Sequence, residues 1–238
     1  MFNGVLQCYK EYIVKSITDF FENTDFSYLK EGEPVGEPYQ KIWEDVYLPS
    51  QQKKAAECNI SEEQRKSAFN GLSKRGRFLC DLYSFFECKN IAEVGTAEGF
   101  QFFTFCNYLK ENDINGKVYT CDIRDVRNSD YKDNFDNIGS FVSGTSTEMS
   151  NKILEDDQKI DLFWIDGSHQ SGAVLFDVIR LAKTQSKNAV WVFDDFDERF
   201  GIHNEIGFLS NFSESYSFSL GCTASGNPNT MMILAGTI

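Results

Sequence analysis

From residue 90 onward, short apolar runs alternate with longer segments in which apolar residues recur at helical spacing. Apolar runs of this kind between helical segments are typical of buried strands. They predict seven strands, at Ile91–Gly95, Lys117–Asp122, Ser140–Ser143, Asp161–Asp166, Ala189–Asp194, Tyr216–Cys222 and Thr230–Ala235. Helices are predicted between them at Phe100–Glu111, Ser146–Glu155 and Ala173–Thr184.

Alternating strands and helices indicate an α/β fold, in which helices cover both faces of a mostly parallel sheet and the crossovers are right-handed. The last two strands differ, because only Thr223–Asn229 separates them. That connection contains Gly226-Asn227-Pro228-Asn229, a sequence typical of a turn. We therefore expect a terminal antiparallel hairpin.

The first 70 residues are polar and helix-prone and predict a helical extension to a domain at residues 71–238. A glycine and proline cluster at residues 31–38 indicates a loop within the extension. Ser61-Glu62-Glu63-Gln64 predicts the start of a helix, and Gly71–Glu87 is amphipathic at helical spacing. We expect the extension either to cover the site or to mediate self-association into a homo-oligomer.

Charge limits the classes of partner. The 238 residues include 23 Lys and Arg against 36 Asp and Glu, a formal net charge of −13. This surplus of acids argues against binding to nucleic-acid backbones or anionic membranes. A local basic patch could still exist, for instance around Lys74, Arg75 and Arg77.

Cysteine usage and hydropathy suggest the cytoplasm. The seven cysteines are odd in number and form no Cys-x-x-Cys pair, so we expect reduced, buried thiols rather than disulfides or a zinc site. Residues 1–10 do not have the pattern of a signal peptide, and no stretch is long and apolar enough to span a bilayer.

A glycine-bearing turn follows the first predicted strand, in Glu93-Val94-Gly95-Thr96-Ala97-Glu98-Gly99-Phe100. A strand that ends in such a turn and opens a helix brings backbone N–H groups close to a polar or anionic ligand. The segment lacks the glycine spacing of the dinucleotide fingerprint and the Gly-Lys-Ser/Thr of a phosphate loop. It therefore argues against NAD and ATP.

Acidic residues lie at or near the ends of four of the first five strands. Ligands of such sheets bind beyond these carboxyl ends, so the acids are expected to converge. Asp122 could accept both hydroxyls of a ribose, although a solvated acid at a strand end is the alternative. Asp166 ends the fourth strand, Asp194 ends the fifth with Asp195 next to it, and we expect these two strands to be neighbours.

Three carboxylates in one place would repel one another, and a hard divalent cation such as Mg²⁺ or Ca²⁺ would relieve that repulsion. The alternative is that Asp194 and Asp195 cap the following loop. His169 lies three residues after Asp166, and a neutral imidazole there could take a proton from a hydroxyl near neutral pH. The alternative role for His169 is a hydrogen bond to a cofactor or a carboxylate.

Four segments together resemble the class I S-adenosylmethionine-dependent methyltransferases. They are EVGTAEGF at 93–100, CDIRD at 121–125, IDLFWIDGSHQSGAVLFDV at 160–178 and VWVFDDF at 190–196. The resemblance covers roughly residues 70–238 and is greatest to the macrocin and mycinamicin O-methyltransferases and the cephalosporin-hydroxylase-like group. It implies a Rossmann-like sheet of seven strands with the last one antiparallel.

The resemblance also implies a cofactor site for S-adenosylmethionine. In it the glycine turn would lie beneath the methionine part, Asp122 would hold the ribose hydroxyls and Ile123 would pack on the adenine. Gly144-Thr145-Ser146 would follow the adenine edge. The implied residues are Glu93, Gly95, Thr96, Ala97, Gly99, Asp122, Ile123, Gly144, Thr145, Ser146 and Asp166.

In the methyltransferases that this sequence resembles, residues matching Asp166, Asp194 and Asp195 hold Mg²⁺, and the residue matching His169 is the general base. The predicted function is therefore a metal-assisted O-methyltransferase acting on a hydroxyl of a small molecule or saccharide, with Asp166 and His169 as its catalytic residues. Catechol-like acceptors are an alternative. An NAD-linked oxidoreductase and a non-catalytic cofactor-binding module are the rival functions.

Overall fold

A computed structural model describes residues 15–30, 32–222, 228–236 and 238. The strands are β1 Asn90–Val94, β2 Lys117–Asp122, β3 Gly139–Ser143, β4 Ile160–Ile165, β5 Gln185–Phe193, β6 Glu214–Cys222 and β7 Pro228–Ala235. The α-helices are α1 Ile17–Asn23, α2 Tyr39–Ile42, α3 Leu48–Glu57, α4 Glu62–Phe85, α5 Phe100–Glu111, α6 Ser129–Lys132, α7 Ser146–Glu155, α8 Ala173–Leu181 and α9 His203–Leu209. Short 3₁₀ turns lie at Ser27–Leu29, Asp133–Phe135 and Ala182–Thr184, and a π-helical turn lies at Trp43–Tyr47.

The seven strands form one sheet in the order β3-β2-β1-β4-β5-β7-β6. Strands β1 to β5 pair in parallel, whereas β7 runs antiparallel to both β5 and β6. The predicted α/β fold, with its terminal hairpin, is confirmed. The predicted turn at 226–229 falls mostly outside the described residues, as do residues 1–14, which contain Cys8. The strand order reverses between β1 and β4, which is where ligands bind in such sheets.

Hydrophobic cores lie on both faces of the sheet. Along β4, Leu162 and Trp164 belong to the core under α4 and α5, whereas Phe163 and Ile165 belong to the core under α7 and α8. Successive side chains of a strand point to opposite faces, so a strand covered on both sides needs apolar residues at every position. This requirement explains why the central strands were visible in the sequence as continuous apolar runs.

Helix α4 joins the N-terminal extension to the sheet. It begins with a capping box, because the Ser61 hydroxyl accepts from the Gln64 N–H and the Gln64 side chain accepts from the Ser61 N–H. The predicted helix start is therefore confirmed. The helix continues to Phe85, so the boundary predicted between residues 70 and 71 falls inside it.

The predicted basic surface patch at Lys74, Arg75 and Arg77 is wrong. The Lys74 ammonium is buried and donates to the Lys30 carbonyl at 2.6 Å, and Arg77 donates to the Val35 carbonyl at 2.9 Å. Arg75 is buried as well. The extension packs over this side of α4, where Lys74 and Arg75 are buried and Arg77 is partly exposed, which a helical sequence pattern alone does not show.

The burial of the cysteine side chains agrees in part with the prediction from the sequence. Cys80, Cys88, Cys106 and Cys121 are free and buried, as predicted, whereas Cys58 is free but exposed. Within the described ranges, no helix combines the length and the apolar character needed to cross a membrane.

Candidate active site

A cavity of about 710 Å³ opens at the carboxyl ends of β1, β2 and β4. It lies where the strand order reverses, and turns after these strands and after β3 form its walls. The predicted cofactor residues that line it are Gly95, Ala97, Asp122, Ile123, Gly144, Thr145, Ser146 and Asp166. Three others, Glu93, Thr96 and Gly99, are not among the lining residues.

The turn after β1 depends on glycine. Gly95 has a φ of +94°, and a Cβ added there would overlap the backbone carbonyl of Asp166 on the neighbouring strand. Gly99 has a φ of +92° and begins α5. Any other residue would be strained at such positive φ values, so the glycines let the turn follow the end of β4 closely. Thr96 is buried between them.

Glu93 lies beneath this turn rather than in the cavity. Its carboxyl group is buried and accepts from the Thr120 hydroxyl at 2.6 Å, while the Thr120 and Thr96 hydroxyls lie 2.6 Å apart. Burial raises the pKa of Glu93 to about 8, so the side chain is largely protonated at neutral pH. Glu93 supports the turn from below.

Asp122 and Ile123 form the wall that β2 contributes. Asp122 Oδ2 accepts from the Ala97 N–H at 3.0 Å, and Oδ1 accepts from the Arg124 N–H at 3.3 Å. Ile123 is 71% exposed and borders the same cavity. A carboxylate beside an uncovered aliphatic side chain suits a ligand that carries hydroxyls next to a flat apolar ring.

The turn after β3 supplies the opposite wall. Thr145 caps α7 together with Glu148, whose carboxylate accepts from the Thr145 N–H at 2.8 Å. Gly144, Thr145 and Ser146 all border the cavity. Phe176 and Asp177 of α8 border it as well, and burial raises the pKa of Asp177. These two residues of α8 were not predicted as site residues.

A second cavity of about 400 Å³ lies next to the first. The two share four lining residues: Tyr47, Gln51, Lys54 and Asp166. Most of the residues that line the second cavity are charged or polar, and besides the shared four they are Leu72, Arg75, His169, Asp194, Asp195, Arg199, Phe200 and Asn229. Asp166 therefore stands between a cavity at the glycine turn and a cavity that holds the predicted base.

Arg75 and Asp194 form a buried ion pair in the second cavity. Arg75 Nη1 lies 2.7 Å from Asp194 Oδ2 and 3.7 Å from Asp166 Oδ2. Asn229 donates to the other oxygen of Asp194 at 3.3 Å. Burial raises the pKa of both Asp166 and Asp194, and the neighbouring acids raise these pKa values further. The Arg75 guanidinium acts in the opposite direction and lowers both.

His169 pairs with Asp195. His169 Nε2 lies 2.8 Å from Asp195 Oδ2. The imidazole packs against the Phe200 ring, and the two ring centres are 4.6 Å apart. The hydrogen bond to Asp195 raises the pKa of His169. Asp195 has a left-handed backbone with a φ of +52°, which short acidic residues tolerate better than most.

Two of the three acids predicted to bind a metal form ion pairs with different side chains. Asp194 pairs with Arg75, whereas Asp195 pairs with His169. Among the described residues, the one group whose ligand atoms all lie within 4.8 Å of one another is Asp166, His169 and Asp195. Asp166 is thus common to the predicted set and to the set that the structure brings together.

Several site residues were missed from the sequence. Gln51 and Lys54 come from the extension, where no motif indicated a role. Arg75 had a signal, because it falls three residues after Leu72 and four before Leu79 on the buried stripe of α4. A charged residue on an apolar stripe indicates a buried partner.

Comparison with known proteins agrees with this geometry. Residues 92–196 match the family model described as a methyltransferase domain. The chain is 16% identical to an O-methyltransferase from Bacillus cereus solved with S-adenosylhomocysteine, with a TM-score of 0.56 over 82% of this chain and 96% of that one. It is 15% identical to TomG from Streptomyces achromogenes, an O-methyltransferase of tomaymycin synthesis solved with S-adenosylmethionine, with a TM-score of 0.53 over 83% and 98%. No curated protein sequence matches the chain.

The shared fold confirms the predicted Rossmann-like sheet. The match of residues 92–196, less than half of the chain, supports the predicted methyltransferase domain. They do not single out the macrocin, mycinamicin or cephalosporin-hydroxylase-like group. The matched segment begins in β1 and ends just after β5, so it contains every predicted cofactor, base and metal residue.

Proposed function

We propose that the protein is an S-adenosylmethionine-dependent O-methyltransferase whose acceptor is a hydroxyl of a small molecule or saccharide. The observation that carries this proposal is the pair of cavities that meet at Asp166. One has the glycine turn and a carboxylate for a nucleoside, and the other has a histidine for a hydroxyl. A methyl donor and an acceptor need such adjacent spaces for in-line transfer.

The residues of the larger cavity fit the cofactor. Gly95 lets the turn after β1 pack closely against the Asp166 backbone at the edge of the cavity, Asp122 offers a carboxylate for ribose hydroxyls, and Ile123 offers an uncovered apolar surface for adenine. When bound, S-adenosylmethionine supplies an electrophilic methyl group on a sulfonium. The domain match favours this cofactor over the NAD of the oxidoreductase alternative.

His169 would act as the general base. Because Nε2 donates to Asp195, the lone pair lies on Nδ1, and that atom would accept the proton of the acceptor hydroxyl. The acceptor oxygen, once deprotonated, would be the nucleophile that a bound methyl donor requires. Asp195 would keep the imidazole in one tautomer and stabilise it when protonated.

The sequence also predicted Mg²⁺ on Asp166, Asp194 and Asp195. These residues do not fit the ion as a set, because the Arg75 guanidinium already lies against Asp194 and close to Asp166. The alternative set of Asp166, His169 and Asp195 would take His169 away from its role as base. We therefore derive no step of the reaction through a metal.

The lining of the second cavity supports the proposed class of acceptor. Its lining is rich in charged and amide side chains, which suits a hydroxylated molecule such as a saccharide better than a flat aromatic catechol. Tyr47, Gln51 and Lys54 border both cavities, so we propose that the N-terminal extension covers the site. Self-association through the remaining surface of the extension is the second role to be tested.

Isothermal titration calorimetry with S-adenosylhomocysteine tests the cofactor, and NAD⁺ serves as the comparison ligand. Incubation with methyl-labelled S-adenosylmethionine and separate panels of saccharides and catechols then tests transfer. We expect binding of S-adenosylhomocysteine alone and transfer to a saccharide. Binding of NAD⁺ in its place would overturn the proposal, and tight binding with no transfer to any acceptor would favour a non-catalytic module.

A further inference from the structure

We infer that Arg75 is the resident cation of the acceptor cavity and occupies the place that a divalent metal ion would take among Asp166, Asp194 and Asp195. The inference rests on the proposed function, because it concerns the same acceptor cavity. It predicts that the acceptor cavity binds no divalent metal ion while Arg75 is present.

The first observation is the position of the guanidinium. Arg75 Nη1 lies 2.7 Å from one carboxylate and 3.7 Å from the next, so the positive charge stands between Asp194 and Asp166. A divalent ion shared by these carboxylates would need to lie at about 2.0–2.6 Å from their oxygens. Its position would then be next to a fixed positive charge, and the two cations would repel.

The second observation is how firmly Arg75 is held. Its side chain is 6% exposed, and its guanidinium carbon lies 5.3 Å from the centre of the Trp164 ring and 5.6 Å from that of Tyr47. Two aromatic faces and two carboxylates therefore surround the guanidinium. A buried arginine cannot lose its proton, so this positive charge is permanent.

The third observation is an unsatisfied donor. Arg75 Nε is buried and has no hydrogen-bond partner within the described part of the chain. A buried donor left unpaired costs stability, and such exceptions need an explanation other than stability. Arg75 borders the acceptor cavity, so a function in that cavity explains why the site keeps a charged side chain on an apolar helix stripe.

The fourth observation is the pairing of the remaining acid. Asp195 pairs with His169, so a positive or protonatable group of the chain faces each acid of the predicted metal trio. Repulsion among these carboxylates was the reason for expecting an ion. The side chain of Arg75 relieves that repulsion, and it leaves His169 available as the base.

Mn²⁺ is a suitable probe because its electron paramagnetic resonance spectrum reports free ion directly, and no acceptor substrate is needed. We expect the wild-type protein with S-adenosylhomocysteine to leave millimolar Mn²⁺ free. Arg75→Met removes the charge and leaves three carboxylates together, so this variant should bind Mn²⁺ on the order of a hundredfold more tightly. Arg75→Lys keeps a cation and should behave as the wild type does.

Asp194→Asn in the Arg75→Met background is the matched control, because it should abolish the gained site. If Arg75→Met is unfolded without metal, recovery of its circular dichroism on addition of Mn²⁺ supports the inference, and failure to recover overturns it. Tight Mn²⁺ binding by the wild type also overturns it, as does equal binding by the wild type and Arg75→Met.

Failure of the proposed function is distinguishable from failure of this inference. Arg75 does not line the larger cavity, so S-adenosylhomocysteine should bind to the wild type and to Arg75→Lys with equal affinity. Loss of that binding in the wild type would reject the cofactor proposal and leave the Mn²⁺ results intact.

Discussion

Nε2 of His169 lies 2.8 Å from Oδ2 of Asp195, and the imidazole packs on the Phe200 ring. The carboxylate determines which ring nitrogen carries the hydrogen, and the aromatic contact restricts rotation of the imidazole. The residue predicted as the base and an acid predicted as a metal ligand therefore form a pair of their own. In the proposed reaction Asp195 acts on the acceptor only through His169.

Replacement of His169 tests its role as the base. We expect His169→Ala to lower kcat by about 10²- to 10⁴-fold, the usual contribution of a positioned general base. Affinity for S-adenosylhomocysteine should be almost unchanged, because His169 borders only the second cavity. The measurements are transfer of labelled methyl to whichever panel acceptor the wild type uses and calorimetry of the cofactor product.

His203 provides the control for His169. It is the other histidine of the chain, it stacks on Phe196 with ring centres 4.5 Å apart, and it borders neither cavity. His203→Ala should keep wild-type kcat. A normal rate in His169→Ala would refute the assignment of the base.

Asp122 is expected to contribute to cofactor affinity. A hydrogen bond to a charged group contributes about 1.5–3 kcal/mol, so Asp122→Ala should weaken S-adenosylhomocysteine binding by about ten- to a hundredfold. Asp125→Ala is the matched control, because Asp125 pairs with Arg127 and Lys132 outside the cavity. Calorimetry measures the affinity of both variants for S-adenosylhomocysteine. Equal affinities in the two would contradict the proposed contact of Asp122 with the ribose.

Alanine substitutions at Gly95 and Gly172 distinguish two effects of an added Cβ, backbone strain and steric overlap. Both have positive φ values, +94° and +88°, but a Cβ at Gly95 would overlap the Asp166 carbonyl, whereas a Cβ at Gly172 meets no atom within 4 Å. Gly172→Ala should therefore cost about 1 kcal/mol of backbone strain. Gly95→Ala should cost more, in the range of about 2–5 kcal/mol that steric overlap in a packed site produces.

Urea unfolding measures both free energies, and calorimetry shows whether S-adenosylhomocysteine still binds. We expect Gly95→Ala to lose binding and Gly172→Ala to retain it. Similar losses of unfolding free energy in the two variants would mean that the close approach of the β1 turn to β4 adds nothing to the cost of a Cβ at Gly95.

Glu93 makes stability depend on pH. Its pKa is raised from 4.5 to about 8 in the folded state, so the folded chain holds a proton that the unfolded chain releases between these values. The contribution of Glu93 to stability is therefore complete below pH 4.5 and is lost as pH rises towards 8. Glu93→Gln cannot ionise and should gain stability relative to wild type over this interval, by up to about 1.4 kcal/mol per pH unit.

Urea unfolding at pH 5 and pH 8 gives this difference, and Glu148→Gln is the control, because its stability relative to wild type should be the same at both pH values. The Thr145 hydroxyl and N–H lower the pKa of Glu148, so its contribution is present above pH 4.5 and disappears as pH falls. A Glu93→Gln variant whose stability relative to wild type is the same at both pH values would show that Glu93 ionises normally.

The local sequence pattern was sufficient to predict those features that depend on only a few neighbouring residues. Strand β4 was predicted because both of its faces are buried, and α4 was predicted at its start because Ser61 and Gln64 cap it within one turn. Asp122 was predicted as a cavity residue because the carboxyl ends of parallel strands lie at one edge of the sheet. None of these inferences requires knowledge of residues far away in the chain.

The ion pair of Arg75 with Asp194 joins residues 119 positions apart, and its partners depend on how α4 crosses the sheet. The same is true of Tyr47 and Lys54, which reach the site only because the extension folds back over the strand ends. The sequence by itself determined the order of the strands along the chain and the chemistry at their tips. Only the tertiary structure decided which charged side chains pair with each other, because the energy of a charge depends on the neighbours and the burial that packing creates.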